Sequence, residues 1–204
     1  MKLKALLFAL SIFQLSSFAQ KSTLFSPEND KKWLIILTDK NKNPNEVFSF
    51  NNGILKVGTA TTGYIRTKKA YKNYHLNVDW RWTKKSGNSG VLLHIQKNDT
   101  VWPVCFQVQQ KADAAGDIIC MNGLWAKECT DKVKFTVPKN QPSNEKPIGE
   151  WNSMEVISKN GTLTVRINNL LQNKISGMTK TKGFVGFQGE GCEMEFRKLE
   201  IKKI

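Results

Sequence analysis

The sequence predicts an all-β fold, an antiparallel β-sandwich, and three observations predict it. Apolar and polar residues alternate with period 2 over many short runs, Asn- and Gly-rich turns separate those runs, and no stretch carries a long amphipathic helical pattern. Two packed layers of such strands are the economical way to bury one face of each.

Ahead of the strands, MKLKALLFALSIFQLSSFAQ places Lys2 and Lys4 before a short apolar run that ends at Ser17-Phe18-Ala19. This pattern predicts a secretory signal over residues 1–19, exported to the periplasm or the extracellular space, rather than a membrane span. No cysteine near its end offers a lipid anchor, and no stable membrane insertion is expected. Residues 20–204 are then expected to form a single β-sandwich domain.

In chain order, Trp33–Leu37 reads as an inward-facing strand or a short helix. Glu46–Phe50 and Ile54–Val57 flank Asn51-Asn52-Gly53, a hairpin signal because Asn and Gly tolerate positive φ. Gly63–Arg66 starts another strand. Tyr74–Thr83 is a longer one, with Leu76, Val78, Trp80 and Trp82 on its apolar face and His75, Asn77, Asp79 and Arg81 opposite. Ser89–Gly123 reads as three consecutive strands. Val91, Leu93 and Ile95 alternate with Leu92, His94 and Gln96, and Val104, Phe106 and Val108 alternate with Cys105, Gln107 and Gln109. The pattern sends the first members of each set into the core and puts His94, Gln107 and Gln109 on one outer surface. A solvated polar face explains the same pattern equally well.

From Leu124 to Ile148 the alternation fades, and Pro138, Pro142 and Pro147 mark an excursion that either covers a cleft or is disordered. Trp151–Ile157 and Thr162–Ile167 form a second hairpin across Lys159-Asn160-Gly161. Phe184–Gln188 and Cys192–Ile201 close the chain, separated by Gly189-Glu190-Gly191.

Lys and Arg number 31 against 17 Asp and Glu, a formal charge of +14 that falls to +12 without Lys2 and Lys4. The excess is scattered lysine, with Arg66, Arg81, Arg166 and Arg197 the only arginines, and no basic-aromatic module accompanies it. A nucleic-acid partner is therefore not expected. Cys105, Cys120, Cys129 and Cys192 lack metal-ligand spacing. Export would permit disulfides, with Cys120 and Cys129 the expected pair, and buried free thiols are the alternative.

NSGVLLH, VWPVCFQVQ followed by AGDI, KPIGEWN, and GFVGFQGEGCEMEFRKLEIKKI occur in an order that resembles the DUF1080 or 3-keto-disaccharide hydrolase domain family. The resemblance spans approximately Trp33 to Ile204. It implies a concanavalin/LamG-like jelly roll, export, and hydrolase action on a 3-keto-disaccharide or related keto-glycoside. Gln107 is a departure, because that place is often acidic in relatives, and a neutral amide is no ordinary general acid or base.

On this basis the expected site is a shallow sugar cleft on the concave sheet. His94 and Glu190 are the expected catalytic residues, His94 for its near-neutral pKa and Glu190 as a turn-borne carboxylate. Trp102 is expected to stack on a sugar face, with Arg81, Asn88, Gln107, Gln109, Asp117 and Glu150 as further substrate-binding residues. Each carboxylate has a structural alternative: Asp117 capping a turn, Glu150 fixing a loop, Glu190 standing in solvent. No cofactor is assigned; Asp117 and Glu190 with carbonyl oxygens would suit a divalent cation such as Ca²⁺, although no contiguous calcium loop is present. A noncatalytic glycan-binding module and a purely structural domain are the alternatives to the enzyme.

Overall fold

The computed structural model of the chain describes residues 21–23 and 31–204; the expected leader over residues 1–19 lies outside them. The elements in order are β1 (Lys21–Thr23), β2 (Trp33–Leu37), α1 (Pro44–Val47), β3 (Phe48–Asn51), β4 (Ile54–Val57), β5 (Gly63–Thr67), β6 (Tyr74–Trp82) and β7 (Gly90–Ile95). There follow β8 (Cys105–Gln109), β9 (Ile118–Met121), β10 (Thr136–Val137), β11 (Asn152–Lys159), β12 (Thr162–Ile167), β13 (Leu170–Ile175), β14 (Phe184–Gly189) and β15 (Met194–Lys203).

These strands form an antiparallel β-sandwich of the jelly-roll kind. One sheet runs β13-β12-β11-β6-β15-β4-β3, with β1 also paired to β15; the other runs β10-β9-β8-β7-β14-β5-β2. The inner faces carry the alternating apolar residues read from the sequence, including Leu76, Val78, Trp80 and Trp82 from the first sheet and Val91, Leu93, Phe106 and Val108 from the second. Trp33–Leu37 is a strand on the edge of the second sheet. Among the described residues no helix is long and apolar enough to cross a membrane. The one-turn α1 starts at the sequence Asn43-Pro44: Asn43 Oδ1 accepts from the Asn45 amide at 3.0 Å, and Pro44 sits where a missing N–H costs nothing.

The period-2 reading fails at one point in β7. His94 takes φ +51°, and the β7–β14 register shifts between Phe184 and Gly186. An irregularity of this kind reverses which face the next side chains meet. Ile95 therefore packs with Leu92, Tyr64 and Cys105 in a second apolar cluster on the outer face, not in the intersheet core. His94 turns inward in its place. Val104 packs only partly against the core.

The proline-rich excursion is fastened by amides. Asn173 Nδ2 donates to the carbonyls of Gly116, Val137 and Pro138, and Asn144 Nδ2 donates to Ile167 O at 2.6 Å. Asn168 Nδ2 answers by donating to Asn144 O at 2.8 Å. These bonds hold the excursion to β12 and β13, and the Lys139 amide ties it to Asp117 Oδ1 at 2.8 Å. All four cysteines are free thiols, and Cys105, Cys120 and Cys129 are buried. The expected Cys120–Cys129 bridge is not formed; burial, with the Cys129 thiol adding to it, pushes the Cys120 thiol up.

Candidate functional site

The outer face of the second sheet gathers three amides. Strand alternation puts Gln107 and Gln109 of β8 outward, and Gln188 of β14 faces the same way, opposite Tyr64 in the ladder. Gln107 and Gln188 are each 3 % exposed. Buried amides need partners, and these find one another. Gln107 Nε2 donates to Gln109 Oε1 at 2.9 Å and to Gln188 Oε1 at 3.2 Å, and Gln109 Oε1 also accepts from the Gln110 amide at 3.2 Å.

This arrangement fixes orientation. Gln107 spends both amide protons inside the cluster, and its two neighbours spend their acceptor ends. What Gln109 and Gln188 have left to offer a ligand is therefore Nε2, the donor end. The cluster also needs room: a Cβ at Gly90 would lie 2.6 Å from the Gln107 Cγ, so only glycine at position 90 admits this side chain.

Glu190 follows Gln188 by two residues, about 7 Å along the strand direction. Asn88 Nδ2 donates to Glu190 Oε2 at 2.5 Å, and Ser89 Oγ, one residue on, donates to Gln188 O at 2.7 Å. Partial burial raises the Glu190 pKa above its ordinary value, which makes it a stronger base than a solvated carboxylate. Beside the amides lies an apolar floor of Tyr64, Leu92, Ile95 and Cys105. Arg66 borders it: Nε and Nη2 both contact Asp99 Oδ1, at 2.8 and 2.6 Å, and the guanidinium lies 4.0 Å over the Phe184 ring. Burial, with the Asp99 carboxylate adding to it, pushes the Tyr64 phenol up to about 12.

Of the expected site residues, the structure thus brings Asn88, Gln107, Gln109 and Glu190 to one end of one sheet face, with Asp117 opposite Gln109, whose backbone amide donates to Asp117 O at 2.8 Å. The others lie elsewhere. His94 is fully buried between the sheets, against the rings of Tyr74 and Phe106. Its Nδ1 lies 3.1 Å from Lys180 O, which can only accept, so Nδ1 carries the proton and Nε2 faces Ser158 Oγ at 3.0 Å. Burial lowers its pKa to about 4. The bulge that turned it inward removes it from the cleft.

Arg81 lies on the outer face of the opposite sheet, paired with Glu195 at 2.7 Å and stacked 4.5 Å from the Trp151 ring. Arg197 lies 4.0 Å from the same ring and pairs with Asp79. Glu150 is exposed beside this group, next to Gly149, whose carbonyl accepts from Arg81. Asp117 accepts from the Lys139 amide at 2.8 Å and so holds the start of the proline-rich excursion. Asp117 leads into β9 and Glu190 follows β14. With β8 and β7 between them, the two residues are about 14 Å apart by strand spacing. No three His, Cys, Asp or Glu side chains gather as a metal site among the described residues. Trp102 stands at the other end of β8, 46 % exposed, over β9.

Two contributors escaped the sequence reading of the site. Gln188 was legible in the family-like motif GFVGFQGEG, but only Glu190 was given a role there. Arg66 is one of four arginines in the chain, and only the loop position of Asp99 explains its inclusion.

Comparison with known proteins gives a family and a fold. The family model of the 3-keto-alpha-glucoside-1,2-lyase-like domain matches residues 21–202. A 3-keto-disaccharide hydrolase of Bacteroides thetaiotaomicron is 25 % identical over 175 residues, which cover 65 % of this chain and 59 % of that protein. The chain thus matches less than two thirds of that relative's length. Among solved structures, a proposed glycosyl hydrolase from Parabacteroides distasonis superposes with a TM-score of 0.66 at 21 % identity, covering 91 % of this chain and all of that one. The carbohydrate-binding module CBM66 from Bacillus subtilis superposes with a TM-score of 0.60 at 8 % identity, covering 83 % and 94 %. At these identities the two superpositions speak for the fold.

Proposed function

The chain belongs to the 3-keto-alpha-glucoside-1,2-lyase-like domain family, and from that premise we propose that it is an exported enzyme that cleaves 3-keto-disaccharides or related keto-glycosides. The observation that carries this reading is the Glu190 carboxylate, raised in pKa by burial, beside two amides whose donor ends face outward. The leader pattern over residues 1–19 supports export to the periplasm or beyond.

A ketone at C3 makes the C2 proton acidic and puts the C1 oxygen in position to leave by elimination. Glu190 takes the C2 proton, and the charge moves onto the C3 oxygen. Gln109 and Gln188 Nε2 donate to that oxygen as its charge develops, the role of an oxyanion hole. The C1–O bond then breaks, the protonated Glu190 returns a proton to the leaving oxygen, and water adds across the resulting double bond. Asn88 holds the Glu190 carboxylate in place, and Gln107 is a positioning residue for both donors. This route needs one carboxylate, whereas ordinary glycoside hydrolysis needs two facing carboxyl groups. Asp117 also borders the amide face, opposite Gln109, but its Oδ1 is committed to the Lys139 amide, which leaves Glu190 as the base.

A noncatalytic glycan-binding module is the second reading, favoured by the neutral Gln107 at the centre of the cluster. Incubating the protein with a 3-keto-disaccharide and its unoxidised parent, with and without a chelator, separates the two. Release of sugar from the keto substrate alone supports the enzyme. Saturable binding of both without release, in either metal condition, supports the module. Loss of release with chelator would add a divalent cation to the site.

A further inference from the structure

Part of the lysine excess that the sequence scatters along the chain is gathered by the fold at one end of the sandwich. The β5–β6 connection brings Lys68, Lys69 and Lys72 there, and Lys182 arrives ahead of β14. Lys31 and Lys32 lead into β2 beside them, and Lys203 ends β15. Together they line two adjoining clefts of ≈420 and ≈380 Å³ that share Lys69 and Tyr71. No aspartate or glutamate lines either cleft. Among the described residues the ion-paired lysines are Lys84 and Lys198, neither of which lines them.

The backbone that carries these charges is held in place. Tyr71 and Gly183 exchange a pair of backbone hydrogen bonds at 2.7 and 3.0 Å, and the Lys68 amide donates to Lys32 O at 2.8 Å. Thr67 Oγ1 donates to Lys69 O at 2.8 Å. A Cβ at Gly183 would collide with the His94 backbone, so glycine is what lets the Lys182 segment close onto β7. Like charges fixed side by side repel, and an external anion relieves that repulsion.

Lys182 precedes β14 and Glu190 follows it, so the clefts stand about 27 Å along the strand from the proposed base, farther than a disaccharide reaches. What they hold is therefore a second ligand. A lysine ammonium is a point charge with rotatable donors, which meets carboxylate, sulfate or phosphate without demanding one geometry. Charges spread over two clefts suit a partner with repeated anionic groups. The Tyr71 ring walls both clefts, with Lys69 Nζ 5.6 Å from its centre, and offers a face to the apolar side of a sugar ring. A chain enters a concave cleft, whereas a flat bilayer meets only its rim.

We propose that this end of the sandwich is a docking site for an acidic polysaccharide, laid along the two clefts with a sugar ring against Tyr71 and its anionic groups on the lysines. The test measures binding of the protein to polygalacturonate, dextran sulfate and neutral dextran, with poly-L-glutamate and phosphatidylglycerol vesicles as the competing chemistries. Three proteins are compared: the wild type, the triple variant Lys69→Gln, Lys72→Gln, Lys182→Gln, and a control triple of Lys40→Gln, Lys42→Gln and Lys85→Gln. The control removes the same charge from exposed positions at the opposite end of the sandwich. The wild type should bind an acidic polysaccharide, more weakly as salt rises, and leave dextran unbound. The cleft triple should lose affinity about tenfold and the control triple no more than about twofold. The tighter of the two acidic polysaccharides assigns carboxylate or sulfate as the anion. Equal loss in both triples would reduce the effect to net charge and overturn the proposal. Binding of poly-L-glutamate or vesicles as tight as that of the polysaccharides also overturns it, as does binding of neither polysaccharide. Turnover of a keto-sugar plays no part in these readouts, so their failure leaves the reading of Glu190 untouched.

Discussion

Gln107 Nε2 donates to Gln109 Oε1 at 2.9 Å, and this one bond settles which end of the Gln109 amide a ligand meets. Its companion bond to Gln188 Oε1 does the same for the second amide. The donor character of the site therefore depends on a residue whose own protons never reach the substrate.

Gln107→Leu removes that arrangement. With no donor between them, Gln109 and Gln188 are no longer held with Nε2 toward the C3 oxygen. Turnover should fall by up to about 10²–10³, the usual loss when an oxyanion donor is removed. Steady-state kinetics beside a circular dichroism spectrum checks it; full activity in a folded variant would contradict the orientation argument. Gly90→Ala should lower activity for a steric reason, because its Cβ would meet Gln107.

The pH profile should report Glu190. As the base it must be ionised, so kcat/KM falls as pH drops through its pKa, which burial has raised above the ordinary carboxylate value. Asn88 Nδ2 favours the ionised form by hydrogen bonding to it. Asn88→Ala should therefore move the acidic limb to higher pH. A limb that stays in place or moves down would show that Asn88 does not act on this carboxylate.

His94 should appear in stability rather than in rate. Its pKa is lowered from 6.5 to about 4 in the folded protein, so the unfolded chain binds the extra proton between those values. The stabilising contribution is complete above pH 6.5 and is lost as pH falls toward 4, amounting to about 3 kcal/mol. Urea unfolding at pH 7 and pH 4.5 should show a steeper loss for the wild type than for His94→Gln, which cannot titrate. Equal slopes would contradict the placement of a neutral imidazole between the sheets.

The sandwich was legible because alternation and turn chemistry are local. Val91, Leu93, Phe106 and Val108 point where period 2 sends them, and so do Gln107 and Gln109. His94 was misread for a physical reason: a single residue at φ +51° reverses the faces of all that follow, and histidine gives little warning of it. Arg81 obeyed its alternation, but which sheet carries β6 is a matter of long-range pairing that no local pattern encodes. Asn88 and Glu190 were each singled out, yet their contact joins residues 102 apart in sequence.

The central claim is that Glu190 removes the C2 proton of a 3-keto-glycoside. It is tested most directly by following that proton by NMR in D₂O, with wild-type protein and with Glu190→Gln, which removes the charge at nearly constant volume. The account predicts deuterium at C2 in wild-type product or recovered substrate, and loss of both exchange and cleavage in the variant, with the amide cluster intact. Cleavage by the wild type with no deuterium at C2, or exchange that continues unchanged in Glu190→Gln, would contradict it.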